Sequence, residues 1–467
     1  MSKSNECISA IMIGAGNRGK DVYGTYALNH PQDLKFVAVA EPHPVRRELF
    51  AKVHGIPSSH QYKTWEDLLQ SKIAEAAFIC TQDQMHIAPA VKALDLGYNV
   101  LLEKPMATKI DECILLTKKA EEMKKQLRIA HVLRYTPFFK KIFKIIQSGQ
   151  IGNVITIDHR ENVSYWHMAH SFVRGNWAKE ESSSPMILAK SCHDLDILYW
   201  LVGSSPRFIS SFGTLKHFKP EEAPSGATSR CLDGCFAIDS CQYYAPRIYI
   251  DIIPLLRMAQ IGGSGRVRFI ANLALKHPQL FSKLKNFPGF RQVDKYQGWP
   301  VSTITEDLTT EGKWKALKTG PYGRCVYFAD NDVVDHQVTI IEFDNGVTAT
   351  FTMHGFSHFE GRTIRIDGTK GTLIGEFLAS GEKLILYDHF HETEKVIIDQ
   401  KMNLDAEIGH GGGDIGLIRS FIKSLRDSEE PLTTAKSALE SHVMAFAAEE
   451  ARLTNSTIQL AEFKKKF

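Results

Sequence analysis

The stretch Ile8-Ser9-Ala10-Ile11-Met12-Ile13-Gly14-Ala15-Gly16-Asn17-Arg18-Gly19 runs from a short apolar segment straight into a glycine turn. An apolar run of this length bounded by glycine reads as a buried strand. The G-x-G-x-x-G that follows it, with a helical pattern next, is the arrangement that cradles a dinucleotide. Gly14 permits the tight turn, Gly16 lets the backbone approach a pyrophosphate, and Gly19 lets the helix pack against the strand. The free N–H groups and the dipole of that helix favour an anion. A glycine-rich turn in some other α/β protein is the competing reading. Glu41 ends the next apolar run, 25 positions beyond Gly16. Its carboxylate suits ribose hydroxyls and repels a 2′-phosphate, which favours NAD. Arg46 and Arg47 just beyond it keep NADP open.

Further runs repeat the alternation. Lys35–Ala40, Ala76–Cys80, Asn99–Leu102 and Leu127–Leu133 read as strands, with helices predicted over His86–Leu96 and Asp111–Lys125. Strands alternating with helices specify a parallel, doubly wound sheet. We therefore expect a nucleotide-binding domain over residues 1–136. From Val154 the regime changes, and strands follow one another: Gln337–Phe343 and Val347–Met353 flank the turn Asp344-Asn345-Gly346. Thr363–Ile366, Thr372–Glu376, Lys383–Tyr387 and Lys395–Ile398 extend the meander, and helices close the chain over Asp414–Leu425 and Ala435–Leu453. A mostly antiparallel sheet in an α+β domain, residues 137–467, is the expectation. Residues 205–330 interleave Pro, Gly, Cys and aromatics, with a helical pattern at Ile248–Ala259, and read as an insertion into that domain.

Composition narrows the function classes. The 467 residues carry 56 Lys plus Arg against 53 Asp plus Glu, a net charge of +3 that offers no broad footprint for nucleic acid or an anionic membrane. No apolar stretch is long enough to span a bilayer, and the N-terminus lacks a secretory pattern. Eight cysteines in a chain of this size are too few for a disulfide scaffold, so a reducing, cytoplasmic setting is expected. Cys231, Cys235 and Cys241 cluster within the insertion and form the best metal candidate, but no fourth ligand is evident from spacing, and buried apolar cysteines are the alternative.

Glu103-Lys104-Pro105 follows the strand Asn99–Leu102, so Lys104 stands at the carboxyl edge of the sheet, where open α/β folds bind ligands. Together with the glycine turn this resembles the Gfo/Idh/MocA family of sugar and cyclitol oxidoreductases. Cys80-Thr81-Gln82 with His86, Arg134-Tyr135-Thr136-Pro137, and His193-Asp194-Leu195-Asp196 fit the same resemblance, which spans nearly the whole chain. It implies a Rossmann domain followed by an α/β domain whose open sheet serves as an oligomer interface, as in a dimer or tetramer. It also implies nicotinamide between the domains, with Lys104 and His193 near a substrate alcohol. Cofactor contacts are expected from Gly14, Ala15, Gly16, Asn17, Arg18, Gly19, Glu41, Thr81, Gln82, His86, Glu103, Lys104 and Arg134.

Hydride transfer to or from an alcohol carbon needs a proton acceptor with a pKa near neutrality, a role for which histidine is suited. We assign His193 as general acid/base and Lys104 as its polarising partner. Many family members carry an Asp one turn before this His, but Ala189 stands there. Lys190 is the nearest substitute, either entering the pocket or pairing with Asp194 at i, i+4. Arg174, Trp177, Asp335 and His336 are polar or aromatic groups placed to hold a substrate. His410-Gly411-Gly412-Gly413 either lines the pocket or simply opens a helix. The function read from this set is NAD-dependent oxidation of a secondary hydroxyl, or reduction of the ketone, in a sugar, cyclitol or polyol. Two other readings stand beside it: an NAD-dependent glycoside hydrolase working by transient oxidation, elimination and hydration, and a non-catalytic nucleotide sensor.

Overall fold

In the computed structural model, described for residues 6–263, 265–277, 280, 296–401, 410–427 and 431–467, the opening run forms β1 (Ile8–Ile13). Beside it lie β2 (Leu34–Ala40), β3 (Gln61–Tyr62), β4 (Ala76–Ile79), β5 (Asn99–Leu102) and β6 (Leu127–Ile129). They form one sheet in the order β3-β2-β1-β4-β5-β6, and every pairing is parallel. The order reverses at β1, so the switch point of the sheet lies between the ends of β1 and β4. The near-continuous burial of β1 and β4 reflects helices on both faces. The strand expected to reach Leu133 stops at Ile129, and Val132–Tyr135 turns as a 3-10 helix with all four side chains buried.

The second sheet contains β7 (Val154–Ser164), β8 (Pro206–Thr214), β9 (His336–Phe343), β10 (Thr348–Ser357), β11 (Gly361–Gly368), β12 (Gly371–Leu378), β13 (Gly381–Asp388), β14 (Thr393–Lys401) and β15 (Ile458–Gln459). Its order is β14-β13-β12-β11-β7-β10-β9-β8-β15, antiparallel throughout except for β7 with β10. Alternation along β9 buries Gln337, Thr339, Ile341 and Phe343 on one face. On the other face, Phe212, Val338 and Ile340 are exposed. The helices Cys192–Val202 and Ala435–Thr454 pack together and cover the buried face.

Within the insertion the continuous helix expected over Ile248–Ala259 is two, Ala245–Tyr249 and Ile253–Gly262. Pro254 lacks the N–H that a continuous helix needs there, and Ile252 takes a left-handed φ of 47° at the break. The insertion also reaches back to the first sheet: Arg46 Nε, beyond β2, lies 2.6 Å from Glu306 Oε1.

Candidate active site

The glycine turn has the shape that a pyrophosphate needs. Gly14 has φ +89°, and a Cβ there would lie 2.6 Å from Cys80 O; a Cβ on Gly19 would run into Gly14 O. Those two glycines are required by the fold itself. A Cβ on Gly16, by contrast, would meet nothing within 4 Å and would stand in open space at the turn. That open cradle is where a phosphate approaches the backbone. Beside it Glu41, 5% exposed, accepts from Ala15 N at 2.8 Å and His43 N at 2.9 Å. Its carboxylate is thereby fixed against the turn with lone pairs left for hydroxyls. Neither arginine beyond β2 is free for a 2′-phosphate. Arg47 Nη1 donates to Glu41 O at 2.6 Å, and Arg46 is paired with Glu306. The residues present therefore fit NAD.

Arg18 and Glu103 are drawn into structure rather than left at the phosphate. Arg18 Nε meets Glu103 Oε1 at 2.6 Å, its Nη2 meets Asp414 Oδ1 at 2.6 Å, and Tyr23 donates to the same Glu103 oxygen. Asn17 bonds Asp21 on the exposed side of the turn. Thr81 and Gln82 lie just past the end of β4, with Gln82 exposed at the open edge. His86 is fully buried, with Nδ1 2.7 Å from Pro105 O and Nε2 3.1 Å from Thr81 O. It joins the two loops and positions them. Arg134, expected at the cofactor, instead chelates Asp196 at 2.7 and 2.6 Å and donates to Leu432 O. A buried carboxylate demands such a partner, which removes this guanidinium from the cleft.

Lys104 leaves the end of β5, and its Nζ donates to Ala189 O at 2.6 Å, in the segment leading to the helix that carries His193. A side chain from the end of the first sheet thus reaches the helical turn Met186–Ala189. Burial pushes the His193 imidazole well below the ordinary histidine range, and Lys104, His131, His410 and Arg362 push the same way. His193 is therefore a neutral base at pH 7. Its Nδ1 is buried without a hydrogen-bond partner among the described residues. The rings of His131 and His410 lie 5.7 and 5.9 Å away. The glycine loop beginning at His410 thus brings a ring beside His193 and leads into the helix Gly413–Asp427, with His410 Nδ1 3.0 Å from Asp414 Oδ2.

Lys190 corrects one sequence expectation, the pairing with Asp194. The helix is broken at Lys190-Ser191, and the ammonium pairs with Glu161 Oε1 at 3.4 Å and Glu360 Oε1 at 3.6 Å rather than with Asp194. Asp194 is taken by His159 at 2.7 Å and Arg362 at 2.9 Å. Burial alone would raise Asp194, but Arg362 and His159 outweigh it and hold it well below the carboxylate range. Burial dominates at Glu161 and pushes it up to about 7, in spite of Arg362 and Lys190. His167 belongs to the aromatic and basic run Tyr165-Trp166-His167, which the sequence offers for stacking on a sugar, but Glu161 on β7 and Glu360 just before β11 were not legible as site residues, because the β7–β11 pairing that brings them together is announced by no local pattern.

The expected substrate contacts lie elsewhere. Arg174 is buried and donates to Arg324 O and Tyr243 O, anchoring the insertion. Trp177 Nε1 donates to Asp83, 3.2 Å from each oxygen, and ties the second sheet's segment to the loop after β4. Asp335 is fully buried and accepts from Lys216 N and His217 N. His336 shares the open sheet face with Val338 and Ile340, away from the covering helices. In each case an unsatisfied backbone or a buried partner claims the polar group. Cys231, Cys235 and Cys241 line one cavity with a fourth thiol, Cys325, about 90 residues on. All are free cysteines, and no three His, Cys, Asp or Glu among the described residues are grouped to hold a metal ion.

Comparison with known proteins agrees with this geometry. Residues 8–131 match the oxidoreductase family's NAD-binding Rossmann fold, and residues 144–243 and 305–460 match its C-terminal alpha/beta domain. The unmatched stretch between the last two falls within the insertion. Oxidoreductase YteT of Bacillus subtilis is 23% identical over 79% of this chain and 77% of its own length. Inositol 2-dehydrogenase of Corynebacterium glutamicum is 23% identical over 44% of this chain and 56% of its own. Among solved structures, scyllo-inositol dehydrogenase from Lactobacillus casei superposes with a TM-score of 0.62 at 16% identity, covering 99% of this chain and 100% of that one. An oxidoreductase from Agrobacterium radiobacter, solved with NAD+, L-tartaric acid and magnesium, gives 0.63 at 13% identity, covering 97% and 99%. With glycine turn, Lys104 loop and both sheets matched, the chain belongs to the Gfo/Idh/MocA oxidoreductase family.

Proposed function

We propose that the protein oxidises a secondary hydroxyl of a sugar, cyclitol or related polyol, or reduces the corresponding ketone, with NAD as its redox partner. The observation that carries this reading is the bond from Lys104 Nζ to Ala189 O, which brings an ammonium from the nucleotide sheet beside the neutral imidazole of His193. When bound, NAD supplies the acceptor or donor of hydride. Lys104 fixes and polarises the substrate oxygen, stabilising negative charge on it. His193 Nε2 takes the hydroxyl proton in one direction and returns it in the other. Gly14, Ala15, Gly16 and Glu41 hold the dinucleotide, with Thr81 and Gln82 at the open edge. Residues 1–136 serve the nucleotide and 137–467 the substrate.

The relatives named as inositol dehydrogenases support a polyol substrate. The exposed apolar residues Phe212, Val338 and Ile340 on one sheet face suit a homo-oligomeric contact. Sparse cysteine usage suits the cytoplasm. A panel of inositols, sugars and keto sugars, assayed with NAD+ or NADH at 340 nm, tests the reading. Turnover is expected for at least one polyol or ketone, and His193→Asn should abolish it while leaving NADH binding intact. A purely nucleotide-binding sensor would turn over none, and turnover surviving in His193→Asn would refute the assignment.

A further inference from the structure

One acid/base pair in the cleft has no part in the chemistry above. β11 runs antiparallel to β7 with Gly361 opposite Asn162, so Glu360, just before β11, meets the turn that follows β7. Glu360 Oε2 accepts from Ser164 N at 2.7 Å, and Oε1 accepts from His167 Nδ1 at 2.8 Å. That second bond fixes the tautomer of His167 and leaves Nε2 as the basic nitrogen. No described residue hydrogen-bonds Nε2, and the His167 side chain keeps 15% of its surface exposed. Burial alone would raise Glu360, but His167 and Lys190 outweigh it and keep the carboxylate ionised. At His167, burial lowers the imidazole pKa, Glu360 opposes this, and Lys190, Lys104 and His170 contribute positive or potentially positive charge nearby.

The surroundings place this pair at the substrate rather than in the core. Lys104 Nζ is held by Ala189 O, and the adjacent Lys190 pairs at 3.6 Å with the same Glu360 oxygen that holds His167, so the backbone step from Ala189 to Lys190 joins the Lys104 side of the cleft to this pair. The insertion roofs the pair: the Trp299 ring lies 4.9 Å from His167 and 5.3 Å from His170, and Thr303 Oγ1 is 3.0 Å from His170 Nε2. Moving one hydride and one proton employs a single acid/base group. A second, separately oriented one in the same cleft serves a second proton.

We propose that His167, positioned by Glu360, is a second general base of this cleft and removes a carbon-bound proton next to the substrate carbonyl. The C–H bond breaks, and its proton passes to His167 Nε2. The electron pair becomes the C=C bond of an enolate, the carbonyl π pair moves onto oxygen, and the Lys104 ammonium balances that charge. Reversal returns a proton from solvent, so no oxidant or reductant is consumed. The step rests on the reading of the cleft as a polyol and ketone site. It gives the elimination and hydration reading a residue it otherwise lacks.

The test is deuterium exchange into 2-keto-myo-inositol in D2O, followed by proton NMR, with the full chain saturated with NAD+. In that complex no reduction of the ketone occurs. Signals of the carbons flanking the carbonyl should disappear at least about tenfold faster than without protein. His167→Asn should return the rate to background, and His336→Asn on the open sheet face should leave it unchanged. Glu360→Gln should move the exchange profile to lower pD, because the carboxylate that raises His167 is gone. Background exchange in the wild type, persistence in His167→Asn, or an unmoved profile in Glu360→Gln would each overturn the proposal. Failure of the oxidoreductase reading itself would show separately, as absence of NADH binding in a fluorescence titration.

Discussion

Replacing Gly16 with alanine separates ligand binding from folding at the glycine turn. Gly16 has φ −73° and ψ −160°, a conformation alanine adopts without strain, and a Cβ there meets nothing within 4 Å. Stability should therefore stay within about 0.5 kcal/mol of wild type, or rise slightly through loss of unfolded-state entropy. Binding should respond differently, because the methyl occupies the space through which a pyrophosphate reaches the backbone N–H groups. Losing one such charged hydrogen bond costs about 1.5–3 kcal/mol, which corresponds to a Kd higher by about 10–150-fold. NADH fluorescence titration and a thermal melt on the same preparation measure both quantities. Gly19→Ala is the contrasting control: its Cβ runs into Gly14 O and lies 3.0 Å from Met12 Sδ. Overpacking of this kind costs about 1–3 kcal/mol, so its melt should fall. A Gly16→Ala protein that binds NADH as tightly as wild type, or that unfolds, would refute the assignment of this turn to the cofactor.

Three further outcomes are expected. Lys104→Met should lower turnover by about 10²-fold or more with NADH affinity nearly unchanged, since it removes polarisation of the substrate oxygen; steady-state kinetics beside a binding titration will show it. Arg18→Met leaves Asp414, 1% exposed, without its guanidinium and should cost about 3 kcal/mol in chemical denaturation, most of it recovered by adding Asp414→Asn. Stability should decline as pH falls from 7 to 5, because burial holds His131 and His193 well below the ordinary range and His442 near about 3. The unfolded chain binds protons below about pH 6.5 where these buried rings do not, so each contributes up to about 1.4 kcal/mol per pH unit. Denaturant melts across that range should show a shallower slope in His442→Gln.

The nucleotide half was readable because its information is local. The run Ile8–Ile13, the turn at Gly14 to Gly19 and the loop at Lys104 are contiguous motifs, and each lies where the alternation of strands and helices put it. The meander was readable for the same reason, from period-two burial and the Asn345-Gly346 turn. What escaped was decided by long-range pairing. Lys190 has its partners on β7 and just before β11, residues separated by about two hundred positions and joined by the β7–β11 register. Arg174, Asp335 and Arg134 carried the right chemistry for a ligand, but buried backbone and carboxylates claimed them first. Trp299, which covers His167, lies in the insertion, where no periodic pattern locates a side chain. Cys325 joined the other three thiols only in three dimensions.

The central claim is that His193 and Lys104 serve direct hydrogen transfer between a polyol carbon and NAD. Incubating the protein with NAD+ and a polyol deuterated at the reacting carbon, then examining the nicotinamide by proton NMR, tests that claim without intermediaries. The account predicts deuterium at nicotinamide C4 on one face only, at a rate that collapses in His193→Asn. Product formed with no deuterium in the nicotinamide, or label transferred equally well by His193→Asn, would contradict it.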